Sequence, residues 1–364
     1  MQKKFFYIRK YYLFCVNDCS GELALRITIQ DLADELKLTT ATVSRALNNH
    51  PRISENTKRL VQELAAKKNY RRNKLASSLR SGKTNMIGVI IPSAEINFFG
   101  SVVHGIESLA NTKGYNILLY QSNETAKYEQ KAIETFIDIG VDGVLASIAK
   151  ETHDFSHYLD LKDAGIPLVF FDRSKDMLNI PSVIVDDFKG GYIATEHLLH
   201  EGFKRIAHIS GQQHLKVFRD RLNGYKSALH DHNIEVNEEL IYNGNVSIQA
   251  GRDAIDYYIK MQEPPDAIFC VEDFTALGVV KEAKERGIDI PEQLGVIGFA
   301  NEAFDEHITP SLSSIDQQTV QMGREAFNLL LNLITEKDEY HLKKTNVVLE
   351  PVPRFRQSSV RGIK

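Results

Sequence analysis

Four side chains in the stretch TATVSRALN, residues 40 to 48, are placed to meet another molecule rather than a core. Thr40, Ala41, Ser44 and Arg45 fall on the side of a short helical pattern opposite Val43 and Leu47. The outward set is small, hydroxylated or cationic, which suits a helix lying in the major groove of DNA. There, methyl groups meet thymine methyls and a guanidinium reaches guanine or phosphate. A second set of candidates lies downstream, each just past an apolar run: Asn97, Phe98 and Phe99; Asp172 and Arg173; Arg219 and Arg221 in FRDRLNGY; Glu272 and Asp273; and, closing the run GVIGF, Phe299 with Ala300 and Asn301. Aromatic faces beside charged hydrogen-bonding groups are the chemistry of a site for a polyol or sugar-like ligand. Taken singly, each is more often a helix cap or a loop ion pair, and Asp273 can cap the helix that follows it. Their shared position at run ends speaks for a site.

The first set needs a scaffold of short helices. Ile29, Leu32, Ala33 and Leu36 recur at i, i+3, i+4 and i+7, one face of a helix. Thr28 with Asp31 forms a capping-box pair that starts it. After Lys37 and Leu38 the second helix carries TATVSRALN. Ser54 and Glu55 begin a third by N-cap preference and favourable charge, with Leu60, Val61, Leu64 and Ala65 as its buried stripe and an end at Lys68 to Tyr70. Two surface helices of an ordinary bundle would show the same periodicities, so charge has to separate the readings. The net charge of -4 hides an asymmetry. From Arg26 to Lys83 there are 13 Lys and Arg against 5 Asp and Glu, and from Thr84 onward 27 against 41. A basic head on an acidic body suits a head that meets phosphate and a body that does not.

The second set sits in a repeated strand-helix alternation. Strand-like runs are IGVII (87 to 91), NILLY (116 to 120), GVLASI (143 to 148), PLVFF (167 to 171), SVIVD (182 to 186), RIAHIS (205 to 210), AIFCV (267 to 271) and GVIGF (295 to 299). Helical patterns such as Val102 to Lys113, Ala126 to Ile139, Gly191 to His200 and Phe274 to Arg286 lie between them. This implies α/β architecture with parallel, doubly wound sheets. Eight runs exceed one usual sheet, and a break near Asp186 divides them into two lobes. In such sheets ligands sit beyond the carboxyl ends of the strands, where the second set lies.

Other classes find little support. Hydrophobic content of 43% and charged content of 25% are ordinary for a globular chain. No run reaches the ~18 apolar residues of a membrane helix. Residues 1–26 start with lysines and are rich in aromatics, but Arg9 and Lys10 break the apolar region and no cleavage site follows. They are expected to be a disordered arm or the product of an upstream start codon. Cys15, Cys19 and Cys270 form no disulfide framework and argue for a reducing compartment. No Gly-rich phosphate loop, nucleophile elbow or metal spacing stands in a suitable context, so neither a catalytic residue, a metal nor a cofactor is expected. His153 and His157 stand at i, i+4 without a third ligand and are expected at the surface.

The segment 28–48 resembles the helix-turn-helix of the LacI/GalR family of bacterial repressors, with TATVSRALN its most specific part. The order of runs after residue 85 resembles the periplasmic-binding-protein-like core of the same family, so the likeness covers 27 to about 359. It implies a helix-turn-helix domain at 27–72, a hinge at 73–84 and an effector-binding and dimerisation core at 85–359. Lobe 1 would hold about 85–185 and 318–346, and lobe 2 about 186–317 and 347–359. The expected DNA contacts are Thr28, Ile29, Thr39, Thr40, Ala41, Thr42, Ser44, Arg45, Asn48 and Tyr70, joined by Asn73, Ala76 and Leu79 of the hinge. In RRNKLASSLRSGKTN (71–85) the family's hinge helix enters the minor groove, Leu79 taking the place of the wedging leucine. Arg72 stands where the family usually has Pro. The expected effector contacts are Asn97, Phe98, Phe99, Asp172, Arg173, Arg221, Glu272, Asp273, Phe299 and Gln317. Arg221 matches an arginine that holds the effector, and Gln317 falls at an inter-lobe crossover. Ala300 stands where the family commonly has Asp, and Glu272 where it often has Asn or Ser. Effector specificity therefore does not transfer from a sugar or purine repressor.

Together these readings predict a cytoplasmic homodimer that binds double-stranded, palindromic operator DNA and is controlled by a small, carbohydrate-like effector, with no membrane partner. The alternative is a solute-binding receptor of a sugar transport system, which shares the two-lobed core but has no use for a helix-turn-helix.

Overall fold

The computed structural model describes residues 27–70, 83–335 and 346–362, which belong to two units dividing between Gly82 and Lys83. The extension 1–26 with Cys15 and Cys19, and the hinge positions Asn73, Ala76 and Leu79, lie outside the described residues.

The first unit holds α1 (Ile29–Leu36), α2 (Thr40–Leu47) and α3 (Glu55–Lys67). Thr28 and Asp31 close the expected capping box, the Asp31 carboxylate accepting from Thr28 N at 2.7 Å. Lys37 turns the chain in the left-handed conformation, with φ 53°. Thr39 and Ser54 cap the next two helices through their hydroxyls. Leu32, Ala33, Val43, Ala46, Val61 and Ala65 make the small core. Leu60 departs from expectation: it is 45% exposed. The stripe of α3 runs through Lys58, Val61 and Ala65, and Leu60, one residue from Val61, is turned about 100° off it. The Lys58 stem is buried there while its ammonium reaches Glu55 Oε1 at 2.6 Å.

The second unit contains β1 (Met86–Ile91), α4 (Asn97–Thr112), β2 (Asn116–Gln121), α5 (Ala126–Ile139), β3 (Gly143–Ala146), α6 (Ser156–Asp163), β4 (Leu168–Phe171), β5 (Ser182–Val185) and α7 (Asp187–His200). Then come β6 (Ile206–Ser210), α8 (Lys216–Asp231), β7 (Ile241–Asn243), α9 (Ile248–Tyr258), β8 (Ala267–Cys270), α10 (Asp273–Glu285) and β9 (Gly295–Ile297). The last elements are β10 (Ser314–Asp316), α11 (Thr319–Thr335), β11 (Asn346–Leu349) and β12 (Val352–Arg354). Six strands form one parallel sheet in the order β11-β5-β4-β3-β1-β2, and four form a second in the order β7-β6-β8-β9. Both orders reverse direction beside one strand, β1 in the first and β6 in the second. Crevices open at such reversals.

The chain passes between the lobes at Asp186, at Gln317–Gln318 and after Leu349, where β11 ends. The third passage differs from the expected boundary after residue 346. Strand β11 pairs with β5 from Asn346↔Ser182 to Leu349↔Val185, so 347–349 belong to the first sheet. Antiparallel β10 and β12 close the crossover region, and Asp186 N donates to Leu349 O at 3.0 Å.

Helices α7 and α8 lie unusually close. A Cβ added at Gly191 would stand 2.3 Å from Arg221 O, and one at Gly224 would stand 2.1 Å from Phe188 O. These two glycines let the helix backbones touch and thereby fix where Arg221 begins. His157 is buried, against the expected surface position, with Nε2 at 3.0 Å from Glu129 Oε2. Glu129 is itself fully buried and accepts from Thr152 Oγ1 at 2.6 Å, so the buried carboxylate is partnered. His153 is exposed.

Candidate functional site

In the first unit, Ala41 and Arg45 are exposed, and Thr40 and Ser44 half-buried, on α2. The other expected contact residues are partly committed to the fold. Thr28 and Thr39 cap helices, and the Thr39 and Thr42 hydroxyls lie 2.9 Å apart. The Asn48 amide donates to Ser44 O at 2.8 Å, and Ile29 and Tyr70 pack on the small core. This leaves an open, small-residue face bearing one guanidinium, shaped for a groove.

In the second unit a cavity of about 330 Å³ opens between the lobes. Arg221 is its best-anchored polar group. The residue is 3% exposed and rises from the first turns of α8. Its Nε donates to Asp187 Oδ1 at 2.8 Å, Nη1 to Val271 O at 2.7 Å and Nη2 to Gln317 Oε1 at 3.1 Å. The guanidinium lies 3.7 Å from the centroid of the Phe299 ring. A guanidinium has five N–H groups, so one on each Nη has no hydrogen-bond partner among the described residues. Burial pushes the Asp187 carboxyl up to about 6, against the opposing pull of Arg221. The pair is thus an expensive one, held because each member satisfies the other.

From the other lobe come Phe98 and Phe99 on α4, set edge to face with centroids 5.0 Å apart, and Asp172 and Arg173 past the end of β4. Asp172 adopts φ 60°, a left-handed conformation that Asp tolerates better than most residues. Burial raises its pKa, opposed by Arg173 and Arg221. Arg173 Nη1 donates to Glu124 Oε2 at 2.8 Å and to Ile148 O at 3.2 Å. Burial would push Glu124 up, but the charge and hydrogen bonds of Arg173, with Lys150, hold it below its ordinary value.

Phe98, Phe99, Asp172, Arg173, Arg221, Glu272 and Gln317 all line the cavity. Three expected residues do not. Asn97 is exposed at the start of α4. Phe299 lies fully buried beneath Arg221, a platform rather than a wall. Asp273 accepts from Ser314 Oγ at 2.7 Å and from Glu302 N at 3.0 Å, away from the cavity. The cap of α10 is Glu272, whose carboxylate accepts from Phe274 N and Thr275 N, so the capping expected of Asp273 falls one residue earlier. Glu272 therefore meets the cavity with its lone pairs largely used.

Glu302, Lys150, Val217, Phe218 and Phe274 also line the cavity and were not singled out from sequence. Glu302 sits in a loop without periodicity, so no pattern marks it. Burial raises its pKa, opposed by the polar groups of Asn97 and the Phe98 backbone from the other lobe. Ala300, also at the wall, has φ 139°, a conformation that L side chains rarely adopt.

Comparison with known proteins agrees with this geometry. Residues 28–73 match the family described as bacterial regulatory proteins, lacI family, and residues 84–354 match periplasmic binding proteins and sugar binding domain of LacI family. The transcriptional repressor PurR of Vibrio atlanticus is 32% identical, over 85% of this chain and 93% of its own. Catabolite control protein A of Priestia megaterium is 31% identical, over 92% of this chain and 100% of its own. The lac repressor dimer solved with operator and the anti-inducer ONPF has a TM-score of 0.81 at 22% identity, covering 92% of this chain and 99% of its own, a likeness of fold. Among the described residues no helix is long and apolar enough to cross a membrane. With a helix-turn-helix head, a two-lobed core and relatives of this length and identity, the chain belongs to the LacI family of bacterial transcriptional regulators.

Proposed function

We propose that the chain is a cytoplasmic, homodimeric repressor whose hold on operator DNA is set by a small polyhydroxylated ligand in the inter-lobe cavity. The observation that carries this reading is Arg221, buried between both lobes yet with two N–H groups left for a ligand. Guanidinium donors of this kind bind vicinal hydroxyls or a carboxylate. The Phe98–Phe99 pair offers apolar faces to a ring, and Asp172 an acceptor. A ligand that bridges Phe98 and Arg221 contacts both lobes and changes the equilibrium between their arrangements. On the DNA side, Thr40 and Ala41 read base edges while Arg45 reaches guanine or phosphate. A single short helix reads few base pairs, so a dimer on a palindromic site supplies the rest. The hinge role of Asn73, Ala76 and Leu79 rests on the family resemblance alone.

The helix-turn-helix favours this reading over a transport receptor, for which such a head has no use. The test is calorimetric titration of the full-length protein with pentoses, hexoses, disaccharides and nucleosides, paired with operator titration in the presence of each binder. Saturable binding by a polyhydroxylated compound that also shifts operator affinity is expected. Binding confined to nucleobases without a sugar would replace the ligand class, and no operator effect from any binder would remove the control.

A further inference from the structure

A second cavity, of about 290 Å³, shares Arg173 with the first and has a different chemistry. Its walls come from both lobes: the loops after β3 and β4 on one side, and residues 214–219, which lead into the first turn of α8, on the other. Arg173, Lys175, Lys216 and Arg219 line it together with His153 and His214, and among the described side chains no carboxylate lines it. Two of the cations are answered from outside it, Arg173 by Glu124 and Lys216 by Asp220. The other two are not. Lys175 Nζ stands 5.1 Å from the Phe155 ring centroid, and Arg219 Nη1 makes a long contact of 3.4 Å to Gln213 O. Neither has a carboxylate partner among the described side chains. Gathering like charges in one recess is unfavourable unless an anion answers them.

The recess also bridges the lobes. His214 Nε2 donates to Lys150 O at 2.8 Å, and the His153 and His214 rings lie 5.5 Å apart at its mouth. We propose that this cavity binds a compact phosphate-bearing anion, held by Lys175 and Lys216 as point charges and by Arg219 and Arg173 as donors. An anion there neutralises charge on both walls and so favours the arrangement in which the lobes face each other. Its size suits a ligand of few heavy atoms, at the small end of ordinary binding sites. Arg173 is the one residue common to both cavities, while Lys175, Lys216 and Arg219 line this one alone.

The test is thermal melting and calorimetry of the full-length protein with inorganic phosphate, pyrophosphate and citrate, against chloride at matched ionic strength. A saturable rise in melting temperature with phosphate and pyrophosphate is expected. Lys175→Gln with Arg219→Gln should weaken that binding roughly tenfold or more, as loss of charge-assisted bonds does. Response to any ligand found for the first cavity should persist in this double variant, so failure here is distinguishable from failure of the effector reading. If the double variant folds poorly, the single Arg219→Gln, at an exposed position, gives the same comparison. No saturable response to either phosphate probe, an equal response from the variants, or a response to citrate alone would overturn the proposal.

Discussion

Replacing Arg221 with Ala is the most informative perturbation of the cleft, because its cost must depend on pH. The guanidinium is the ion-pair partner of Asp187, at 2.8 Å, and both side chains are buried. Removing one member of such a pair costs about 3–5 kcal/mol, chiefly by stranding the other charge. In the parent, Asp187 titrates at about 6, above its ordinary 3.8. A raised carboxyl gives stability that is present at low pH and lost as pH rises through the folded value. The parent therefore stops losing stability from this group above about pH 6. Without Arg221 the attraction is gone and burial alone remains, so the Asp187 value climbs further. The variant then keeps losing about 1.4 kcal/mol per pH unit beyond that point. The difference between variant and parent should widen by about 2–3 kcal/mol between pH 6 and 8. Urea unfolding of the two proteins across that range measures it directly. The double variant Arg221→Met with Asp187→Asn, which leaves no charge behind, should show no widening and recover much of the loss. A pH-independent difference would refute the stranded-carboxylate account. Ligand affinity is read in the same series at pH 6, where the fold suffers least. A loss of about 2 kcal/mol is expected there, since the two free N–H groups make charged hydrogen bonds. Arg221→Lys should not restore it, because an ammonium cannot serve Asp187, Val271, Gln317 and a ligand at once.

Three further outcomes follow from other contacts. Exchanging Thr40 and Ala41 together should change the preferred operator more than the overall DNA affinity, and a binding-site selection that returns the parental consensus would remove them from base reading. Gly191→Ala forces a Cβ against the Arg221 carbonyl and should destabilise the core by about 1–3 kcal/mol; Gly100→Ala, with nothing within 4 Å of its Cβ, should instead be neutral or stabilise α4 by about 0.5–1 kcal/mol, and equal effects on chemical melts would contradict the packing. Asp305, fully buried beside Asp273 and 3.9 Å from Arg356 Nη1, is pushed up by burial and by its acidic neighbour, against the pull of Arg356, as is Asp273 by burial. Both raised values mean stability lost as pH rises through the neutral and alkaline range, so Asp305→Asn should flatten that slope in thermal melts, and an unchanged slope would dismiss this account of the buried pair.

Much of this architecture could be read directly because burial and chemistry happened to coincide with pattern. The central strands are continuous apolar runs since helices cover both faces of each sheet, and RIAHIS and AIFCV end where the chain turns toward the cavity. Strand β11 escaped notice because it is an edge, its residues alternating between exposed and half-buried, and the crossover strands β10 and β12 are only three residues long. Helix α6 carries too weak an apolar stripe to announce itself, though Tyr158 and Leu161 are buried on it.

At the cavity, the rule that ligands lie past strand ends found Arg221 and Asp172, since both follow buried runs. It could not find Asp187 as the partner of Arg221, because that contact joins the start of α7 to α8, 34 residues apart. Nor could it separate Glu272 from Asp273: adjacent acids after one strand look alike in sequence, and only the helix geometry decides that the first caps α10 and the second turns inward to Ser314. Position past a strand end therefore selects a neighbourhood, while the hydrogen-bond partner decides which residue faces the cavity. Arg221 satisfies both conditions, which is why the cleft's behaviour with pH and its affinity for ligand should fail together when that side chain is lost.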